Sequence, residues 1–557
     1  MFRRSRVLVA LALLGLVAGA CSSSKSSGGS SGATTTVLAK QGGDLVVAAE
    51  QEPDCMDWLD ACASAAWGVY TTAATTLVGA YDFNEKSTYV PSPVLTGPAT
   101  LVTSPKQVIT YHINPKAVWS DGQPITSTDF KYTWNQAVTG KNILSTTGYT
   151  NIASVDDTDP HTAVVTMSQS FADWQSLFDQ GSLPLMPSHL LQGKDRDALM
   201  KDGDPAVSDG PWMLDHWTKG VEIKLVPNPN WWGKKPNLAS MTFKFITVSA
   251  SEQQAIKTGQ VDAAYPQVTP GPQPLRGLPG ISFDAVSGLN YEGLWFNVEK
   301  APLNSKAVRQ ALAYATDRNA IVSQLFAPTQ PDIQPIQSWY TPAFGSTYTT
   351  PFAKYKLDLA QVTTLMTGDG WAKGADGIWA KGGQKANVEL KTTACNARRA
   401  QTAQILQSEW KQAGFNLTIT TEKAGVLFGQ DLPAGNFQIG LYAQNPTDND
   451  VSECIIWCSK NIPGPSNGGN GQNYDRINDP LLDVPWLDAD TNLNQAQRVA
   501  DAQKGQSILA EDMAALPVDP FPDILVVNTD KVGSQTGTFL HNFAWGPFVY
   551  ANEWFLK

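Results

Sequence analysis

The sequence predicts a mixed α/β fold, and three features carry that expectation. Leu289–Val298 is an aromatic and apolar strand that runs into Val308, Ala311, Leu312 and Ala315 at helical spacing. Val388, Leu390 and Thr392, then Ala403, Leu406, Trp410 and Ala413, then Phe415, Leu417 and Ile419 read as strand, helix, strand, the pattern of a βαβ unit. A chain of 557 residues also exceeds what one hydrophobic core holds, so two to four domains are expected.

In chain order, Arg3, Arg4 and Arg6 precede the apolar run Val7–Val17, which meets Ala18-Gly19-Ala20-Cys21. A basic start and a short apolar core are the marks of a signal peptide over 1–20, too short for a permanent span. Small residues before a Cys resemble a lipobox, which implies lipidation at Cys21. Ordinary cleavage after Ala20 is the alternative. The Ser/Gly/Thr-rich stretch that follows reads as a flexible tether over 21–40. Asp44–Ala49 begins the folded part, and Trp58–Leu77 reads as helical around Trp67, Tyr70 and Leu77. Gln107–Ile113 alternates as a strand, and Asp121-Gly122 marks a turn. Thr126 and Asp129 form a capping box ahead of Phe130, Trp134 and Ala137. Thr162–Met167 is a strand, Phe171–Asp179 a short amphipathic helix, and Val221, Ile223 and Leu225 alternate along another strand. Ser251–Thr258 is a helix closed by Gly259, Asn304 an N-cap, and Asp317 the cap of a second short helix. Pro328–Gly383 reads as long loops, Ile439–Asp450 as a strand ending in a cleft, and Asn494–Met513 as a helix. Ile524–Val527 is an apolar segment near the end of the chain.

A net charge of -11 argues against nucleic acid as a partner. The five His are scattered without metal-ligand spacing, and neither a P-loop nor a complete dinucleotide fingerprint is present, so no cofactor and no enzyme chemistry is expected. Besides Cys21 there are five cysteines, an odd number for an exported chain. Cys55–Cys62 and Cys454–Cys458 are the simplest disulfides, with Cys395 an alternative partner for one of the last two. Zinc at Cys454-x3-Cys458 is the rival reading, disfavoured by the lack of a nearby His.

Four stretches resemble the extracellular solute-binding proteins of family 5, the group containing oligopeptide- and dipeptide-binding lipoproteins of ABC importers. They are FN-x3-APLN-x3-VRQALAYATDR-x2-IV from Phe296, WSDGQPITSTDF from Trp119, the Ser208–Ile246 run with Asn228-Pro229-Asn230-Trp231-Trp232, and Gly259-x-x-Asp262. The resemblance implies a two-lobed periplasmic-binding-protein type II fold with an extra subdomain in lobe I. Lobe I would span 41–74, 203–287 and 521–557, the subdomain 75–202, and lobe II 288–520. It further implies a monomeric receptor on the outer face of the cell membrane, closing on a peptide and passing it to a permease and its ATPase. Another solute, such as a glycan or glycolipid headgroup, or a regulatory role in envelope synthesis, is the alternative.

Within such a fold the expected ligand contacts are Tyr291 and Trp295 from the hinge strand, Arg398 at the start of a lobe II helix, and Asp448 with Trp457 from the cleft loop. Asp448 and Arg398 would meet a peptide's ammonium and carboxylate, and the aromatics would wall the ligand. The amine-reading D-Y pair of the family's peptide binders is missing from Leu441–Asp448, where Asp448 is the nearest substitute.

Overall fold

The computed structural model describes residues 39–60, 62, 68, 72–86, 88–143, 145–180, 183–268, 273–446, 451, 453–467, 469, 471–542 and 545–557. The signal peptide, Cys21, Trp67, Tyr70 and Asp448 lie outside the described residues. One ten-stranded sheet organises the rest. Its strands are β1 (Asp44–Ala49), β2 (Trp212–Thr218), β3 (Glu222–Pro227), β4 (Ser240–Phe245), β5 (Ala263–Ala264), β6 (Ile281–Phe296), β7 (Asn387–Thr393), β8 (Asn416–Glu422), β9 (Ile439–Gln444) and β10 (Ala515–Asn528). Their spatial order is β8-β7-β9-β6-β10-β5-β1-β4-β3-β2. The long strands β6 and β10 lie at the centre and run antiparallel through both lobes. On one side β5, β1 and β4 run parallel. On the other, β7 pairs parallel with both β8 and β9.

The subdomain is a separate four-stranded antiparallel sheet, Thr100–Val102, Val108–His112, Thr162–Met167 and Ile152–Asp159 in that spatial order, covered by α1 (Ser127–Thr139). The capping box at the start of α1 is present, with Thr126 N–H donating to Asp129 at 2.9 Å. Asp121 and Gly122 make the expected turn, and Asp121 meets His189 at 2.8 Å. The stretch 171–179 is mostly irregular, with one 3-10 turn at Trp174–Ser176 in place of a helix. A run of nine residues with four aromatic or apolar members packs into the core without needing a helix to do so.

In lobe I, α2 (Ser249–Lys257) follows β4, and Gly259 sits just past its end at φ 68°, the left-handed position glycine favours. Ile223 and Leu225 are fully buried, but Val221 precedes β3 and is exposed. In lobe II, α3 (Lys306–Tyr314) starts at Ser305, one residue later than expected. Asp317 caps α4 (Arg318–Leu325), accepting the Ala320 N–H at 3.0 Å. Ala403, Leu406, Trp410 and Ala413 of α5 (Ala397–Ala413) are buried. Residues 328–383 depart from the loop reading. They include a helix, Leu359–Gly368, capped by Asp358, and a small sheet over 372–385. Its helix period over Val362 and Met366 is brief and its polar face Thr-rich, so the Pro and Gly around it dominated the pattern. Finally, α6 (Gln495–Asp512) fills the helix expected over Asn494–Met513, with Asn494 as its cap.

Candidate ligand-binding site

The lobes face each other where strands end and helices begin, the usual crevice of α/β sheets. Glu50 follows β1, Tyr265 and Gln267 follow β5, and from lobe II Asn396 caps α5, whose first turn carries Arg398 and Arg399. Asn396 Nδ2 donates to Gln267 Oε1 at 2.9 Å, so the crevice is shut at this point. The Gln267 N–H donates to Glu50 at 3.0 Å. A second contact across the crossing joins Ser287 Oγ to Gln330 at 3.0 Å.

A charged cluster occupies the crossing itself. Glu292 of β6 stands directly opposite Asp519 of β10, two acids on facing positions of neighbouring strands. Like charges there destabilise a sheet unless compensated. Compensation comes from α5: Arg398 and Arg399 each bond a different Glu292 oxygen. Burial alone would raise the Glu292 carboxyl, but the two guanidinium charges and their bonds hold it below its usual range. Burial, and then the Glu292 charge, push Asp519 well above its usual range. Arg398 is 1% exposed and sits over the Phe521 ring at 4.9 Å and Phe326 at 5.3 Å. Its Nε and Nη2, and Asp519 Oδ2, meet no partner among the described residues. Close by, Asp523 accepts from Tyr265 Oη at 2.7 Å and is pushed up to about 6 by burial.

The aromatic residues build a different feature. Trp295 is stacked between Tyr442, at 5.0 Å and 8°, and Trp457, at 5.5 Å and 20°. Trp339 adds a tilted ring 4.6 Å from Trp295, and Tyr291 lies 5.6 Å from Trp339. Each is buried. Gly293 permits this packing, since a Cβ there would come within 2.5 Å of the Trp339 ring. Trp457 ends a four-residue helix, and Cys454 and Cys458, which bracket it, are disulfide-bonded, as are Cys55 and Cys62. Cys395 is unpaired and exposed.

Of the five expected contacts, Tyr291, Trp295 and Trp457 therefore come together inside lobe II, Arg398 lies apart from them beside Glu292, and Asp448 lies outside the described residues. Sequence reasoning missed Glu292, Asp519, Asp523 and Glu50. Glu292 interrupts an apolar strand, and Asp519 and Asp523 sit among prolines in an apolar one; those misplaced charges were the available signal. At the outer rim Ala172 N–H donates to the Asp490 carbonyl at 2.7 Å, beside a cavity of about 290 Å³ between the subdomain and the start of α6. The carboxylates of Asp57, Asp60 and Asp197 also converge, but Arg196 bonds Asp57 and Asp197 at 2.6 Å each and fills the place a cation would take. No helix among the described residues is long and apolar enough to cross a membrane.

Known proteins share this architecture. The oligopeptide-binding protein OppA of Mycobacterium tuberculosis is 26% identical over 438 residues, 77% of this chain and 72% of that protein. The periplasmic EDTA-binding protein EppA superposes with a TM-score of 0.82 at 21% identity, covering 95% of this chain and 99% of its own. The oligopeptide-binding protein AppA of Bacillus subtilis, solved with a nonapeptide, gives 0.77 at 19% identity, covering 93% and 100%. Residues 91–462 match the model of the bacterial extracellular solute-binding proteins, family 5 Middle. With two lobes joined by two continuous strands, and that match over most of its length, the chain belongs to family 5 of the bacterial extracellular solute-binding proteins, the solute receptors of ABC importers.

Proposed function

We propose that this protein is a lipid-anchored receptor that captures peptides between its lobes and delivers them to an ABC permease. The observation that carries this reading is the pairing of opposite capacities at the crossing. Among the described residues, Arg398 Nε and Nη2 and Asp519 Oδ2 have no partner, and both side chains are buried from water. A peptide presents a carboxylate and an ammonium, and charge-assisted bonds in such a site are worth about 1.5–3 kcal/mol each. Asp448 supplies the ammonium contact, and Tyr291, Trp295 and Trp457, stacked inside lobe II, back the wall of the site rather than face the ligand. The names of OppA and AppA support a peptide. In this reading lobe I comprises 41–74, 203–287 and 521–557, the subdomain 75–202 and lobe II 288–520, and Cys21 carries the lipid.

A second reading, a small polycarboxylate or metal chelate, is favoured by the two adjacent arginines and by the likeness to a protein named for EDTA binding. Native mass spectrometry of protein purified from its own host separates the two by the mass of what is retained. Calorimetry on Asp448→Asn with a retained peptide then tests the ammonium contact. A loss of tenfold or more supports it, and unchanged affinity overturns it. Cys21→Ala should release the protein from the membrane fraction; a variant that stays bound excludes this anchor.

A further inference from the structure

The opposite wall of the crevice holds a second pair of acids that the ligand reading leaves unused. Glu50 sits at the exit of β1, and Glu252 in the first turn of α2. Glu252 is 1% exposed. Among the described residues no N–H and no hydroxyl reaches either of its oxygens. The nearest charge acting on it is the carboxyl of Glu50, the neighbouring acid at the end of β1. Two carboxylates repel, and a buried carboxyl that no donor reaches is favoured in its neutral form. The buried Glu252 and the half-buried Glu50 together therefore favour holding a proton.

Its position ties that proton to the shape of the crevice. Glu50 takes the Gln267 N–H at 3.0 Å, and the Gln267 side chain takes the Asn396 amide from lobe II at 2.9 Å. The contact that shuts the crevice is thus one residue removed from the acid pair. Opening would break it and expose the half-buried Glu50 further to water. The charges acting on the pair are each other's and that of Arg398, which reaches Glu50 from lobe II and favours its ionised form. Arg398 is itself committed to Glu292, and its effect on Glu50 is outweighed by desolvation. The other groups on the elements packed around the pair face elsewhere. Lys244 and Lys257 are exposed, and Asp262 pairs with Lys531 at 3.2 Å.

We propose that lobe closure and protonation of the Glu50–Glu252 pair are linked, so that the closed form binds a proton which the open form releases. Burial pushes Glu50 up to about 7, and burial together with the Glu50 charge holds Glu252 well above its usual range, so the linkage operates near neutral pH. By reciprocity, a ligand that closes the lobes takes up a proton, and its affinity falls as the pH rises, by at most tenfold per unit for one proton. This rests on the reading of the crevice as a closing ligand site, but its test needs no ligand.

The radius of gyration of the unliganded protein, lacking its signal peptide, is measured by X-ray scattering from about pH 5 to about pH 8. The wild type should expand as the pH rises through neutrality, and Glu252→Gln, neutral at every pH, should show no such step. Glu50→Gln is the second variant, and should behave alike if Glu252→Gln does not fold. A radius independent of pH in the wild type overturns the proposal, as does a step that survives in both variants. If the step is present but no peptide binds, the proton linkage stands and the peptide reading fails.

Discussion

Arg398 shows how a single residue reads differently alone and in context. In the sequence it is a cation at the start of a predicted helix, free to meet a carboxylate. In the fold its partner is Glu292, 106 residues earlier, brought under it by the pairing of β6 with β9 and of β9 with β7. No local pattern announces so distant a pair, and a glutamate in an apolar strand signals only that some compensation exists. Removing one member leaves a buried charge, so Glu292→Gln should cost about 3–5 kcal/mol. Urea unfolding measures it; a cost below about 1 kcal/mol would mean that the pair is solvated in solution. The buried acids also set the response to pH. Burial lifts Asp209 from 3.8 and Glu409 from 4.5 to about 7 each. A raised carboxyl keeps its proton in the folded state after the unfolded chain has lost it, so stability falls as the pH climbs from about 4 to 7. Glu292, held low, acts oppositely and loses its contribution only as the pH falls below its ordinary range. With raised acids dominating, the melting temperature should be higher near pH 5 than near pH 8. A maximum on the alkaline side would contradict the burial of these groups.

Among elements, those with a strong local signal were legible. The βαβ unit of β7, α5 and β8, the capping box of α1, the cap Asp317 and the helix α6 all appear where spacing and cap chemistry put them. The helix Leu359–Gly368 and the strands of 372–385 were hidden, because their short periods are broken by Gly and Thr. The aromatic residues of β6 were legible as a strand, but their side chains stack on Trp339 and Tyr442, which come from elsewhere in the chain. The short helix Cys454–Trp457 depends on those contacts more than on its disulfide. The bond spans a separation of 4 residues, so its loss should cost less than the roughly 3 kcal/mol of a 15-residue loop. Cys454→Ser with Cys458→Ser should therefore melt only slightly earlier than wild type. Peptide mapping without reduction should recover the two cysteines linked, and two free thiols would exclude the bond.

At the scale of the molecule, the crossing strands are built to bend. Ser287 pairs with Pro522 and Tyr291 with Pro520, so three residues of β6 oppose one of β10; just beyond, Glu292 pairs with Asp519 and Gly293 with Pro517. Proline carries no N–H, and such residues enter a central strand only at irregularities like these. The ladder is thus weakest where the lobes join, and a pivot there disturbs few hydrogen bonds. The opposite side of the crevice is held by contacts that opening must break, with Asn396 to Gln267 the most direct. Covalent capture of that contact should hold the protein shut. In a Cys395→Ser background, which removes the exposed thiol next to Asn396, Asn396→Cys and Gln267→Cys would be joined by a short bis-maleimide. The joined protein should take up no added peptide and should retain any peptide bound before joining. The same double variant, left unreacted, should exchange freely. Equal exchange in both would mean that the ligand enters by another path, and that closure across Asn396 and Gln267 does not guard the site.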